Sequence, residues 1–369
     1  VRYGSDRLKS ALLGPVQQWW SADLFYDSER RLADVPLGGV RFQEDAGAKI
    51  QQSGSCTITW VDDFGRSMSP QVIGDVFAPF GAELHLYSNV TAGKFSERVP
   101  MGVFRITGVP SAQDQTMFFR KTLITTSSVI ELEFAERLAR TDIERFDLPG
   151  GPSQTASTWL ELQRLTGFQV TKNVSDAPVT GSLTYEDSRL DSVYDLAKIL
   201  GGAPHMLSDG SLSIRTDAWG TVVDSLTRKD SLVKVGQSMT AERTYNKVVV
   251  RSPDTSNQVV LATAEITSGP LRTVNPDGSP SPYGVVPYFA AIPSITDTAA
   301  AQVYANSLLP DVSTLQAVRV PVTELINPLR ERGDVITIER PTRTLTGRVV
   351  SIDRSDKATQ QLVVEVQGG

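Results

Sequence analysis

The sequence predicts a β-rich α+β protein, with two antiparallel β-barrel-like domains and a smaller α/β unit between them. Three observations lead there. Short runs that alternate apolar and polar residues recur at both ends of the chain, separated by turn clusters. The middle carries helical spacing between breakers. A length of 369 residues with 40% hydrophobic and 21% charged side chains gives room for two or three domains, each with its own core. The expected divisions are 1–148, 149–235 and 236–369, with part of the central hairpin free to rejoin the first barrel.

In the first division, Thr57-Ile58-Thr59-Trp60 alternates and Asp62-Asp63-Phe64-Gly65 reads as the turn after it. Glu83 to Leu86 and Val103 to Val109 are further strand candidates. From Val129 to Phe134, Ile130, Leu132 and Phe134 share one face and Glu131 and Glu133 the other, the period of a half-buried strand. Ala135 to Arg140 is expected to turn into a short helix.

The cluster Asp147-Leu148-Pro149-Gly150-Gly151-Pro152 breaks the strand pattern. After it, Trp159, Leu162 and Leu165 step at threes, with Gly167 as a C-terminal cap. A second helix starts near Asp187 or Ser188, whose side-chain oxygen can accept from a free amide, and carries Leu190, Val193, Ala197 and Leu200 up to Gly201-Gly202. His205 to Leu207, Ser208-Asp209-Gly210 and Ser211 to Arg215 read as a hairpin whose turn needs glycine at positive φ.

Strands return at Lys247 to Arg251 and Val259 to Ile266. From Ser268 to Pro287, twenty residues hold five prolines and three glycines, which predicts an irregular exposed excursion or an interdomain contact loop. A third helix is expected from a cap at Ser294 or Thr296, with Ala300, Val303, Tyr304, Ser307 and Leu308 on one face, until Pro310 stops it. A meander follows: Leu315 to Val322, a turn at Arg332-Gly333-Asp334, Val335 to Glu339, Thr346 to Asp353, and Gln361 to Val366. Met101 to Ile106 with Met117 to Ile124 faintly echoes Thr346 to Ile352 with the final strand, as two related barrels or two generic hairpins would.

Composition narrows the function classes. Cys56 is the single cysteine, so no intramolecular disulfide or cysteine-built zinc site can form. Two histidines, His85 and His205, cannot alone supply the ligand sets common to zinc and copper, and no cofactor is expected. The formal charge is −6 with no basic tract, so specific nucleic-acid recognition is not expected. No apolar run approaches the roughly 18 residues of a membrane helix, and Arg2, Asp6, Arg7 and Lys9 interrupt the start, so neither membrane insertion nor a signal peptide is expected.

The catalytic motifs fail in turn. Ala46-Gly47-Ala48-Lys49 lacks the glycines of a phosphate loop, and neither a G-x-G-x-x-G nor a G-x-S-x-G motif occurs. His85 sits between two leucines and His205 follows a proline, positions that suit structural residues. Glu44-Asp45 and Asp62-Asp63 are the candidate carboxylate pairs, but neighbours on a strand point to opposite faces. Asn275, Asp277 and Gly278 carry only half a calcium loop and read as a tight turn. Trp19-Trp20, Phe25 and Tyr26 could stack on a sugar, although core or interface packing explains them better. No catalytic, cofactor-binding or metal-ligating residue is therefore assigned.

The order of parts resembles the tail hub proteins of long-tailed phages, especially minor tail or baseplate hubs of actinobacterial phages, with Mu-like contractile-tail hubs as more distant relatives. The resemblance rests on Trp20-Ser21-Ala22-Asp23-Leu24-Phe25-Tyr26-Asp27-Ser28-Glu29-Arg30-Arg31, on Phe42 to Gln51, and on Ala78-Pro79-Phe80-Gly81-Ala82-Glu83-Leu84. It continues through Gly201, Asp209-Gly210, Tyr245-Asn246-Lys247-Val248, Thr298 to Leu308 and Arg332-Gly333-Asp334-Val335. It implies a non-enzymatic homotrimer in the virion, at the tail tip or baseplate, assembled in the host cytoplasm. Each copy would give two barrel-like domains to a ring. That ring would join the sixfold tail tube or distal tail proteins to threefold tip, spike or fibre proteins, and DNA would pass through it. The alternatives are a tail-associated cell-wall or polysaccharide hydrolase using a carboxylate pair, and a carbohydrate-binding adhesin using the Trp19-Trp20 region.

Overall fold

The computed structural model describes residues 2–61, 64–179, 183–236, 244–251, 259–291, 297–313, 318–341 and 343–366. They form a β-rich α+β fold with large antiparallel sheets. The chain packs as two units, Val1–Val235 with Pro321–Val364, and Gly236–Val320 with Glu365–Gly369.

The first unit opens with α1 (Asp6–Ala11), capped by Ser5, whose hydroxyl accepts from the Leu8 amide. Six strands follow: β1 (Gln17–Tyr26), β2 (Glu29–Asp45), β3 (Gln52–Trp60), β4 (Glu83–Ala92), β5 (Phe95–Phe119) and β6 (Thr122–Glu136). Their order is β1-β4-β5-β6-β3-β2, and β1 pairs with β2 as well as with β4, so the six close into an antiparallel barrel. Closure removes the free edges that would otherwise pair with other chains. Inside, Phe42 meets Trp20 at 6.4 Å, Phe104 at 5.3 Å and Phe134 at 6.4 Å between ring centroids. Gly54 makes the tightest approach in this barrel. A Cβ there would lie 2.3 Å from the Arg41 carbonyl oxygen and 2.6 Å from the Phe134 ring.

Strands β5 and β6 outrun the barrel. Pairing of β3 with β6 ends at Trp60↔Ser128, whereas β5 and β6 stay paired to Phe119↔Thr122. The turn residues Arg120 and Lys121 both have positive φ, 46° and 72°, a conformation that costs L-residues roughly 1 kcal/mol each. The result is a two-stranded arm whose outer residues on β5 are exposed.

Next come α2 (Leu138–Ile143), α3 (Thr158–Thr166), α4 (Arg189–Ile199) and the hairpin β7 (Gly202–Met206) with β8 (Leu212–Thr216). The helix expected at Ala135 starts later, because Ala135 and Glu136 remain in β6. Gly167 ends α3 at φ 69°, and Ser188 caps α4 by accepting from the Asp191 amide. Trp159, Leu162, Leu165, Leu190, Val193 and Leu196 bury one apolar stripe from each helix against Met206, Leu212 and Ile214 of the hairpin.

Two short strands, β9 (Val222–Leu226) and β10 (Leu232–Val235), precede the second unit. That unit holds β11 (Lys247–Arg251), β12 (Val260–Glu265), β13 (Pro287–Ala291) and α5 (Thr298–Ser313), with sheet order β12-β11-β13. Helix α5 differs from expectation in two ways. It continues through Pro310 to Ser313, because proline removes one amide donor while its fixed φ suits the last turn. Its fully buried residues are Ala301, Ala305 and Val312, since alanines permit close approach to β11 and β12; of the expected face Tyr304 and Leu308 pack against this cluster partly buried, while Val303 is 71% exposed. The expected caps Ser294 and Thr296 lie outside the described residues.

The chain then returns to the first unit with β14 (Val318–Leu325), β15 (Val335–Glu339), β16 (Thr344–Ser355) and β17 (Thr359–Val366). Strand β16 pairs antiparallel with the end of β2, from Ser351↔Asp45 to Ser355↔Arg41. The sheet continues as β17-β14-β10, and β15 pairs with β16 and with β9. One sheet therefore links strands that end by Glu136 with strands that begin at Val318 or later.

Candidate functional site

Alternation places a row of apolar residues inside each strand, and in several strands of the first unit that row ends on a polar residue. Phe42 is followed by Glu44, Phe134 by Glu136, Val322 by Glu324 and Ile352 by Arg354, while Gln360 precedes Leu362. All ten are 1% exposed or less. Residues two apart share a face, so these polar groups stand in the interior. Arg2, Arg330 and Arg332 enter from loops, and His205 and Arg215 from the β7–β8 hairpin.

The groups bond mainly to one another, although Arg2 Nε, Glu44 Oε2, Glu136 Oε2 and Arg332 Nε are buried without a hydrogen-bond partner. Arg2 donates to Glu44 Oε1 at 3.0 Å and to the Arg330 carbonyl at 3.0 Å. Arg354 donates to the same Glu44 oxygen and to the Arg330 carbonyl. Its Nε donates to Gln360 at 3.1 Å, and Gln360 Nε2 donates to Glu324 at 2.6 Å. Arg330 holds Glu324 with two bonds, 3.1 and 3.0 Å, and reaches Asp224 at 2.7 Å. On the other flank, Gln51 donates its amide to Glu136 at 2.8 Å and accepts from Arg215 at 2.9 Å. Arg332 donates to the Gln51 carbonyl at 2.8 Å and to His205 Nδ1 at 3.0 Å, which leaves the other ring nitrogen to carry the proton of a neutral imidazole.

The electrostatics follow. Burial opposes ionisation of Glu44, but Arg2, Arg354 and Arg332 outweigh it and bring the carboxyl down to about 2. At Glu136 burial wins over Arg332 and the carboxyl is raised. Burial and the positive charges of Arg332 and Arg215 hold His205 well below the ordinary imidazole range. Arg215 is lowered to about 10 by burial and by Arg332 and Arg348. The arrangement is a fastening: its hydrogen bonds and ion pairs tie Arg2, the barrel, the central hairpin and the last strands together.

The residues weighed from sequence fall as follows. Glu44 is sealed inside while Asp45 accepts from the Gly47 amide at 2.8 Å, so this pair shares no substrate-facing surface. Asp62-Asp63 lies outside the described residues. His85 is partly buried, stacked on Phe25 at 4.0 Å between centroids, and burial lowers its pKa. Trp20 is 2% exposed and Trp19 44%, so the two indoles take opposite faces of β1. Asp277 accepts from the amide and hydroxyl of Ser279, at 3.0 and 2.6 Å, closing a turn. Burial pushes the Cys56 thiol up to about 12. Among the described residues, no group of three or more His, Cys, Asp or Glu side chains is placed to hold a metal ion, and no helix is long and apolar enough to cross a membrane.

Sequence reading missed the buried network, although a signal was present. Glu44, Glu136, Glu324 and Arg354 each continue an apolar parity row by one step, as Glu44 does after Val40 and Phe42. Arg2 and Arg332 gave no such signal, because loop residues have no parity.

No family model matches the chain, and no curated protein matches it. Solved structures do. A tail protein from Neisseria meningitidis MC58 superposes with a TM-score of 0.57 at 10% identity, covering 94% of this chain and 96% of that one. The 43 kDa tail protein of prophage MuSo2 from Shewanella oneidensis gives 0.57 at 10% identity, over 94% and 97%. A chain of the Francisella PdpA–VgrG complex gives 0.52 at 8% identity, over 97% of this chain and 53% of that one. The chain thus shares its fold, nearly end to end, with the two tail proteins.

Proposed function

We propose that the chain is a structural hub of a phage tail tip or baseplate, carried in the virion and assembled in the host cytoplasm. Three copies form a ring around the DNA channel, joining the sixfold tail tube or distal tail proteins to threefold tip, spike or fibre proteins. The chain performs no catalysis and needs no cofactor. In this reading 1–148 and 236–369 supply the two barrel-like modules and 149–235 the unit between them. Three copies of two modules then present six similar faces to the tube and threefold symmetry to the tip.

The observation that carries the reading is the fold correspondence over 94% of the chain with two tail proteins, each matched over nearly its whole length. The buried network supports it, because a part that transmits load gains from internal cross-ties and needs no open cleft. The acidic balance of −6 per copy supports a conduit, since a basic bore would hold DNA in place. Immunogold labelling of tailed particles that carry this chain tests the assignment: gold at the distal tail tip supports it. Gold on the head, or no label on assembled particles, overturns it.

A further inference from the structure

The arm formed by β5 and β6 is apolar where it is most exposed. Phe118 is 75% exposed, Leu123 56%, Phe119 54% and Met117 48%, beside the cationic turn Arg120-Lys121. The Arg120 guanidinium lies 5.3 Å from the Phe119 ring centroid, so cation and ring present one surface. A two-stranded ribbon with no core of its own is marginal in water.

The same unit carries an apolar concavity of about 720 Å³, lined by Pro70, Gln71, Val72, Ile73, Gly74 and Phe80. Val72 and Ile73 are each 66% exposed and Phe80 57%, while Phe77 and Ala78 beneath them are buried, so the loop is anchored. Asp75, partly exposed, accepts from the amides of the lining residues Gln71 and Val72, and these bonds hold its carboxyl below the usual carboxylate range.

The arm cannot fill this concavity on its own chain. The loop runs from the arm toward the barrel: Gly65 accepts from Thr125, Met68 donates to Ser128, Ser69 donates to Asp114, and Ala82 accepts from Ile106. From Asp114, which holds Ser69 at the start of the concavity, to the turn is six residues, roughly 20 Å of strand at about 3.3 Å each, directed away from the concavity.

We propose that the arm of one copy seats its Phe118-Phe119 tip in the Pro70–Phe80 concavity of a second copy, with Arg120 and Lys121 facing Asp75. Apolar surface meets apolar surface and the charges complement. Because giving and receiving surfaces differ, the contact is heterologous, and it makes a ring where the rotation closes. For its copy number, and for nothing else, the inference rests on the trimer reading above.

Cysteine cross-linking tests it. Cys56 is 2% exposed, so the wild-type chain is a silent background. Phe119→Cys and Ile73→Cys replace exposed residues and leave the core intact. The two single variants, mixed and oxidised with diamide, are expected to give a disulfide-linked heterodimer, and the double variant a ladder that stops at three. A Leu148→Ser control, 80% exposed elsewhere, leaves self-association unchanged, whereas Phe119→Asp weakens it at least tenfold. A trimer by light scattering that gives no link between the arm-tip thiol and the concavity thiol overturns the arm contact and spares the trimer. A ladder that runs past three keeps the arm contact and overturns the closed trimer. Links only between two arm-tip thiols overturn the contact, as does sedimentation with phosphatidylglycerol vesicles that needs Phe118 and Phe119.

Discussion

Glu44 shows what a single residue contributes here. It accepts from Arg2 and Arg354 while fully buried. Removing one partner of a buried pair leaves an uncompensated charge and costs about 3–5 kcal/mol, so Glu44→Gln is expected to lower unfolding stability in urea by that amount. The acid limb of stability carries the sign. A carboxyl lowered to about 2 adds stability that is complete above its ordinary range near 4.5 and is lost as pH falls toward 2. Glu44→Gln removes that contribution, so stability between pH 5 and pH 3 should fall less steeply in the variant than in wild type. His205, held neutral, slopes the same way from about pH 6.5 downward. Glu136, whose carboxyl is raised, slopes the other way: its contribution is present below the ordinary carboxylate range and is lost as pH rises through its raised value. An acid limb as steep in Glu44→Gln as in wild type would refute the assignment.

At the scale of elements, local chemistry decides where helices begin and tertiary context decides where strands end. Ser157 caps α3 by accepting from the Leu160 amide at 3.1 Å, and donates to Asp176 at 2.6 Å. Ser157→Ala is expected to cost about 1–2 kcal/mol, measured by denaturant unfolding; an unchanged midpoint would show that the cap is idle. Such signals were legible in sequence: Ser188 and Gly167 mark helix ends as expected, Lys247–Arg251 is the strand foreseen, and the excursion from Ser268 stays largely irregular. The arm was not legible. Its strands alternate no more clearly than a generic hairpin, and their length of 25 and 15 residues comes from pairing beyond the barrel. The buried face of α5 was legible in Tyr304 and Leu308 and missed at Ala301 and Ala305, which weigh less than Val303 in any hydrophobic pattern yet let helix and sheet approach.

Across the whole molecule, β2 is the strand on which the construction turns. Its first part pairs with β1 and its last residues pair with both β3 and β16, so one long strand serves the closed barrel and the sheet from the chain's end. Glu44, at the meeting point, takes arginines from residues 2 and 354. That convergence of distant segments was beyond sequence reading, since nothing in either segment names its partner. It suits the structural hub proposed above. The decisive measurement is cryo-electron microscopy of the purified chain at assembly-like concentration, without imposed symmetry. The account predicts a ring of three copies with six barrel-like densities around an open channel. A lone globule, or a ring of another copy number with no channel, would contradict it.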